Sequence, residues 1–191
     1  MDIKEYIQKS INTKTEILNN ENILSDIKRI ADKIVNAYKA GNKVLTAGNG
    51  GSAADAQHIA GELVSKISFD RPGLAAFSLA TDTSVLTAIG NDYGYENIFS
   101  RQIQANAKDG DVFIAISTSG NSKNIVLGLQ EAKKSGLITI GLVGLKECEM
   151  DKYCDYIIHV PSDSTPTIQE SHIMIGHIIC ALVEEAIFLN A

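Results

Sequence analysis

The fold is decided by residues 45–63, "LTAGNGGSAADAQHIAGEL". The stretch begins like the end of a buried strand, and a run of small residues follows from Gly48 to Ala54. Glycines allow a tight turn and a close approach between backbone and ligand. Ser52 is expected to cap the next helix, whose free N–H groups favour an anion. The stretch therefore predicts a strand, an anion-binding turn and a helix; for the turn alone, a plain tight turn is an equally good interpretation.

Short apolar runs and helical stretches alternate on both sides of this segment. The runs are apolar almost throughout, as in strands that are covered on both faces. Helical stretches between most of them indicate βαβ units and a parallel sheet. The sequence therefore predicts an α/β fold with five strands, at 43–48, 74–79, 111–117, 137–144 and 155–160.

Helices without strands are predicted at the two ends of the chain. Residues 2–40 have the apolar spacing of two helices, interrupted at 19–22, and 167–189 form one long apolar helix preceded by Pro166. The two leading helices have no sheet of their own. They are expected to pack on the domain or on another copy of the chain.

Composition excludes several classes of protein. The 191 residues suit one domain, and the net charge of −6 argues against nucleic acid or an anionic membrane as partner. Three cysteines without a CxxC pair, Cys148, Cys154 and Cys180, are typical of reduced thiols. No secretory signal is recognisable, and no run approaches the roughly 18 apolar residues of a spanning helix. We therefore expect a soluble cytoplasmic protein.

Two further polar segments follow predicted strands or apolar stretches. "STSGNS" at 117–122 has more hydroxyls than one helix cap needs, which favours a phosphate cradle without a cation over a serine-rich cap. "TAIGNDYGYE" at 87–96 is predicted as a loop in which Asn91 and Asp92 bond sugar hydroxyls, and an ordinary Asn/Asp turn is the alternative. The hydroxyl groups of the first segment are those of Ser117, Thr118, Ser119 and Ser122.

Histidines and a carboxylate complete the candidate chemistry. His58 and Glu62 lie one helical turn apart, so they can share a divalent metal or act as an acid–base pair, unless they are a solvated pair. On the last helix, His172 is expected to be solvated. His177 lies in an apolar run, as a site residue or as a buried neutral histidine bonded to backbone.

Five segments together resemble the sugar isomerase (SIS) domain family: "AGNGGSAADAQHIAGEL", "RPGLAAFSLATD", "GNDYGYENIFSRQ", "ISTSGNSKNI" and "PTIQESHIMIGHIICALVE". The resemblance covers nearly the whole chain. It implies one three-layer α/β/α domain over 1–191, with a five-stranded parallel sheet preceded by two N-terminal helices. It also implies a homotetramer with active sites at subunit interfaces, in which the helices of 1–40 take part, and one divalent metal, usually zinc, per subunit.

The resemblance also assigns roles to residues of this sequence. Glu62 becomes the candidate base and His177 the candidate acid, and the metal ligands become His58, Glu62, Gln169 and His177. Lys66 departs from the family, which often has Arg there, and lysine lacks the bidentate fork of arginine. The contacts to the sugar phosphate become Asn49, Gly50, Gly51, Ser52, Glu62, Asn91, Asp92, Ser117, Thr118, Ser119, Ser122 and Gln169.

The function that the resemblance implies is an aldose–ketose isomerisation. Sedoheptulose 7-phosphate would become D-glycero-D-manno-heptose 7-phosphate through a cis-enediol, for the biosynthesis of a heptose glycan such as lipopolysaccharide, lipooligosaccharide or capsule. Another ketose phosphate is a close alternative. A second alternative is a non-catalytic SIS protein that binds a sugar phosphate or a replication-initiator partner. The presence of all four metal-site residues favours the enzyme.

Overall fold

The computed structural model describes residues 2–189 and contains one sheet of five parallel strands between layers of helices. Every strand lies within a segment predicted from the sequence, and the expected α/β fold is confirmed. The limits 1 and 191 of the predicted domain lie outside the described residues. The strands are β1 (Val44–Gly48), β2 (Ala76–Ser78), β3 (Val112–Ile116), β4 (Ile138–Val143) and β5 (Tyr156–His159).

The order of the strands across the sheet is β2-β1-β3-β4-β5. The chain therefore proceeds in one direction from β1 to β2 and in the other from β3 to β5. β1 and β3 pair in register from Val44↔Val112 to Gly48↔Ile116, so they end side by side. The loops that leave these two ends diverge, and such a switch point is where open α/β sheets bind ligands.

Seven helices cover the sheet in the described part of the chain. The two leading helices and the long final helix confirm the sequence predictions. Two short 3₁₀ turns, at Tyr95–Asn97 and Glu149–Lys152, complete the regular structure. The helices are α1 (Ile3–Leu18), α2 (Glu21–Lys39), α3 (Gly51–Val64), α4 (Thr83–Tyr93), α5 (Ser100–Asn106), α6 (Lys123–Lys134) and α7 (Thr165–Phe188).

The two faces of the sheet carry separate apolar cores. Val112 and Ile114 of β3 pack with residues of α2, α3 and α7, whereas Phe113 of the same strand packs with residues of α5 and α6. Side chains alternate between the faces of a strand. This arrangement explains why the strand segments are apolar at consecutive positions.

Helix α7 corrects one expectation about membranes. By length and composition it passes as a membrane span, with a mean hydropathy of 1.5, although no such run was expected. The helix packs against α2 and α3, and Ile175, Ile179 and Val183 are buried in the core that these helices share with the sheet. Its apolar residues therefore have partners within the chain.

Two local predictions are wrong. Ser52 is not the cap of α3: that position is taken by Gly50 with φ of 56°, and Ser52 is buried in the first turn. Residues 87–93 are not a loop but part of α4. The carboxylate of Asp82 accepts a bond from Val85 N at the start of α4, and Leu86 and Ile89 pack on the core one turn apart. Capping and packing stabilise a helix where the Asn, Asp and Gly content indicated a turn.

Helices α3 and α7 approach each other closely at Gly176. A Cβ atom there would lie 2.7 Å from Cγ1 and Cδ1 of Ile59, a buried residue of α3. Gly61, also in α3, has open space around the same position. The two glycines therefore offer a matched pair of substitutions.

We predict that Gly176→Ala lowers the free energy of unfolding by about 1–3 kcal/mol, because Ile59 cannot move away without strain. Gly61→Ala is the control and is expected to raise it by about 0.5–1 kcal/mol, since alanine costs less entropy in a helix than glycine. Urea unfolding of both variants measures the two effects. Equal effects of the two substitutions would contradict the close packing of α3 on α7.

Candidate active site

Two histidines and a glutamate from α3 and α7 meet at the surface. His58 Nε2 lies 2.9 Å from Glu62 Oε1 and 2.9 Å from His177 Nε2. The side chain of His58 is 48% exposed and that of Glu62 is 22% exposed, so a solute can reach the group. The structure thus brings together three of the residues that the sequence analysis placed in the site.

The helix contact described above positions this group. His58 precedes Ile59 on α3, and His177 follows Gly176 on α7. Because Gly176 has no side chain, α7 approaches Ile59 closely, and the neighbouring imidazoles come into contact with ring centroids 4.9 Å apart. One missing Cβ therefore fixes the distance between the two histidines.

The three side chains suit a divalent metal. One ligand atom from each of His58, Glu62 and His177 lies within 4.8 Å of the others. Two ligands bound at 2.0–2.1 Å to a tetrahedral cation are about 3.3 Å apart. The two separations of 2.9 Å from His58 Nε2, to Glu62 Oε1 and to His177 Nε2, therefore need to open by only a few tenths of an ångström. Two imidazole nitrogens and a carboxylate are also donors that zinc accepts. This group could hold a metal ion.

Lys66 lies beside this group. It lines a shallow depression of about 300 Å³ together with His58, Glu62, Gly61 and Ser65. The ammonium group is thus near the opening of the site. An anionic substrate that enters the depression would meet Lys66, where the family often has arginine.

Gln169 lies at the other end of α3. A Cβ atom on Gly51 would be 2.5 Å from Gln169 Nε2, so this side chain packs directly on the glycine turn. Gln169 and His177 are about 12 Å apart along α7. The structure places Gln169 against the turn, and its role as a metal ligand stays a prediction.

The segment 117–122 forms a compact loop after β3. Ser117 Oγ lies 3.5 Å from Ser119 Oγ and 3.2 Å from Ser122 Oγ, and it accepts a bond from Gly120 N. Ser122 is the N-cap of α6, but its side chain makes no capping bond. Hydroxyl groups clustered at a helix N-terminus are suited to bind phosphate oxygens.

A crevice of about 280 Å³ adjoins this loop. Thr118 and Ser119 line it on one side, and Ser162 and Thr165 near the start of α7 line it on another. Lys146 also lines the crevice. The sequence analysis expected no cation near the serine loop, and the structure corrects this because the chain after β4 returns to the same edge of the sheet.

Asn49 is held by two residues that the sequence analysis missed. Its Nδ2 donates to Asn124 Oδ1 at 2.9 Å, and its Oδ1 accepts bonds from Asn124 Nδ2 at 2.8 Å and from Tyr95 OH at 3.0 Å. Asn124 is 3% exposed and lies in the first turn of α6. The pair joins the loop after β1 to the helix after β3, which no local sequence pattern reveals.

Asn91 and Asp92 lie in the last turn of α4 and are exposed. Asn91 Nδ2 donates to Asp92 Oδ1 at 2.7 Å. Within residues 2–189, neither side chain hydrogen-bonds to another residue of the predicted site. Their predicted contact with sugar hydroxyls stays a prediction.

The expectation that His172 is solvated is wrong. The side chain is fully buried, and its Nε2 lies 3.2 Å from the carbonyl oxygen of Val143. Burial lowers the pKa of His172 to about 4, against the smaller opposing effect of this hydrogen bond. His172 faces the core, whereas His177 lies at the site, which was one of its two predicted environments.

Asp55 is a second residue that the sequence analysis missed. It precedes His58 by three residues on α3, and its Oδ2 is buried without a hydrogen-bond partner among the described residues. Burial raises the pKa of Asp55 to about 6, while the nearby His58 acts in the opposite direction. A carboxyl group with a raised pKa next to a histidine pair is typical of functional sites.

The buried His172 predicts a stability that depends on pH. In the unfolded chain its imidazole takes up a proton near pH 6.5, but the folded protein resists protonation until about pH 4. The contribution of His172 to the stability of the folded protein is therefore complete above the pKa of the unfolded state. It is lost as the pH falls towards the pKa of the folded state. Lowering the pH from about 7.5 to about 5 is therefore expected to lower the free energy of unfolding by about 2 kcal/mol through this residue.

The matched variant is His172→Gln, which keeps a donor for Val143 O and does not titrate. The measurement is urea unfolding of both proteins at one protein concentration, and the quantity of interest is the difference between them at each pH. Other titrating groups, including Asp55, contribute equally to both proteins. A difference that stays constant with pH would show that His172 is not buried in its neutral form.

Comparison with known proteins gives one family. The SIS domain model matches residues 5–144. The chain is 63% identical over 188 residues to a phosphoheptose isomerase from Aneurinibacillus thermoaerophilus, which covers 98% of this chain and 95% of the relative. It is 60% identical over 186 residues to phosphoheptose isomerase 2 of Campylobacter jejuni, with 97% and 92% of the two chains covered.

A solved structure has the same fold. It is that of a phosphoheptose isomerase from Francisella tularensis, which superposes with a TM-score of 0.91 at 34% identity. The superposition covers 96% of both chains. The two N-terminal helices, the parallel sheet and the long final helix are therefore shared.

Proposed function

Because the chain belongs to the SIS domain family, and within it to the phosphoheptose isomerases, we propose that it converts sedoheptulose 7-phosphate to D-glycero-D-manno-heptose 7-phosphate. The product would supply the biosynthesis of a heptose glycan. The observation that carries this proposal is the meeting of His58, Glu62 and His177 at one edge of the α3–α7 contact. The sequence identity of 63% to a relative of that name supports it.

Glu62 and His177 carry the proton transfers. Isomerisation of a 2-ketose to an aldose moves a proton from C1 to C2. The carbonyl group at C2 becomes a hydroxyl group, and the hydroxyl group at C1 becomes a carbonyl group. Glu62 removes the proton from C1 while His177 donates a proton to the C2 oxygen, which gives the cis-enediol. Glu62 then returns a proton to C2 while His177 takes the proton of the C1 hydroxyl group, which gives the aldehyde. The two residues lie on different helices, so they can approach the substrate from different directions. Acid–base groups placed in this way contribute about 10²–10⁴-fold to a rate.

The loops after β1 and β3 hold the phosphate end of the sugar. The hydroxyl groups of Ser117, Thr118, Ser119 and Ser122 and the N-terminus of α6 favour a dianion. Asn49, fixed by Asn124, lies across the switch point from them. Gly50 and Gly51 add backbone donors at the start of α3, and Ser52, whose own N–H donates to Asn49 O, adds its hydroxyl group. Asn91 and Asp92 bind hydroxyl groups of the sugar.

Zinc is the metal that we propose for the site, with His58, Glu62, His177 and Gln169 as ligands. The three titratable members lie close enough together to hold an ion. When bound, a divalent cation supplies a Lewis acid that polarises the carbonyl and favours the negative charge of the enediolate. The chain's own contribution is to hold the two imidazoles, which meet edge to face, and the carboxylate within reach of one ion.

The enzyme is proposed to act as a homotetramer. Helix α1 leaves Ile3, Ile7 and Ile11 at least half exposed, and their spacing of four residues places them on one face. Only Thr13 and Ile17 of this helix are buried in the chain. A second copy would cover the apolar stripe. The contact of α1 with α7 through Lys14 and Glu170, the residue after Gln169, would link that interface to the site.

The test is proton NMR of the protein with sedoheptulose 7-phosphate in D₂O, with and without a chelator. We predict new aldose anomeric signals with deuterium at C2, because the proton removed by Glu62 exchanges with solvent. Glu62→Gln is expected to lower kcat about 10²–10⁴-fold, since an amide cannot accept the proton. The control is Glu21→Gln, which changes an exposed carboxylate in the first turn of α2.

Three outcomes are informative. Near-normal turnover by Glu62→Gln would overturn the assignment of the base. Turnover without deuterium at C2 would contradict an enediol whose proton exchanges with solvent. Absence of turnover in the unmodified protein with added zinc would favour another sugar phosphate or a non-catalytic role in sugar phosphate binding.

A further inference from the structure

A buried ion pair lies behind the proposed active site. Arg71 Nε donates to Glu184 Oε2 at 2.8 Å, and the two side chains are 2% and 0% exposed. Arg71 lies in the segment after α3, whereas Glu184 lies on α7 about two turns beyond His177. The pair therefore connects the two helices that carry the catalytic candidates.

The guanidinium group also caps the end of α3. Nη2 donates to the carbonyl oxygen of Glu62 at 2.8 Å, and Nη1 donates to that of Leu63 at 2.7 Å. The last carbonyls of a helix have no partner within the helix, and a positive charge there is favourable. Glu62 is in this last turn, which is the part of a helix that frays first. The position of the candidate base thus depends on a cap supplied by Arg71.

Glu184, on α7, holds the segment that follows α3. Its two carboxylate oxygens accept bonds from Ile67 N at 3.0 Å and Ser68 N at 2.8 Å, in addition to the bond from Arg71. Burial alone would raise the pKa of Glu184, but these hydrogen bonds and the charge of Arg71 hold it below its usual range. The carboxylate therefore stays charged and keeps the segment after α3 attached to α7.

We propose that Arg71 and Glu184 are positioning residues of the isomerase, which fix Glu62 relative to His58 and His177. Neither contacts the side chains of the candidate site: Arg71 bonds the backbone carbonyl of Glu62, and Glu184 acts through Arg71. A lysine cannot replace Arg71, because it lacks the planar fork that serves one carboxylate and two carbonyls at once. The inference rests on the proposed function, but it also makes a claim about metal binding that does not depend on turnover.

The chain offers a closely matched control in a second buried ion pair. Asp111 is fully buried, pairs with the ammonium group of Lys43, and accepts bonds from Lys43 N and Lys108 N. It thus has one cationic partner and two backbone donors, like Glu184. Lys43 and Asp111 directly precede β1 and β3, and among residues 2–189 neither makes a hydrogen bond or ion pair with a residue of the candidate site. Asp111→Asn therefore tests the cost of losing a buried charge away from the site.

The experiment compares Arg71→Lys, Glu184→Gln and Asp111→Asn with the unmodified protein. The quantities are the melting temperature, kcat and KM for sedoheptulose 7-phosphate, and the affinity of the metal-free proteins for Co²⁺ alone, measured from its visible absorption. All assays are made well below the lowest melting temperature. We expect all three variants to melt earlier, because each loses part of a buried network.

The variants at Arg71 and Glu184 should lower kcat and weaken Co²⁺ binding by about 10–100-fold, as changes that support metal ligands do. KM should change much less, because the phosphate loops lie on other elements. Asp111→Asn should keep kcat and Co²⁺ affinity. Folded Arg71 and Glu184 variants with the Co²⁺ affinity and kcat of Asp111→Asn would overturn the proposal, and so would a failure of both to fold. If the unmodified protein does not turn over the sugar, the proposed function fails while the Co²⁺ affinities still decide the positioning role.

Discussion

The packing of α7 on α3 is the constraint on which the rest of the site depends. The two helices meet where Gly176 faces Ile59. Because no side chain separates them there, His58 and His177 face each other at 2.9 Å and Glu62 completes the group one turn further along α3. Core packing and catalytic geometry are therefore one property of this contact. The ion pair of Arg71 and Glu184 fastens the same two helices beyond the site.

The sheet positions the loops that we propose bind the phosphate group. Its strand order separates the loops after β1 and β3, which lead into α3 and α6. Phosphate recognition is proposed to rest on hydroxyl and backbone groups, with Lys146 as a nearby charge. The amide pair of Asn49 and Asn124 keeps the two loops together. Proton transfer and phosphate binding are thus placed by different parts of one fold.

Strand positions and helix α3 could be predicted because they follow from local patterns, namely apolar runs, glycines and the spacing of His58 and Glu62. The helix over 83–93 was missed because its cap and packing depend on residues outside the turn-like segment. His172 was placed in solvent because a nearly uniform apolar helix does not reveal which face is buried. Asn124 and Arg71 were missed because their partners, 75 and 113 residues away, are known only from the fold.

The central claim is that the α3–α7 contact builds a site for a divalent metal between a base and an acid. Anomalous diffraction at the zinc edge, on crystals of the zinc-loaded protein, tests it most directly. The account predicts one strong peak per chain between His58 Nε2, Glu62 Oε1 and His177 Nε2. A peak bound elsewhere, or none between these three side chains at full zinc loading, would contradict it.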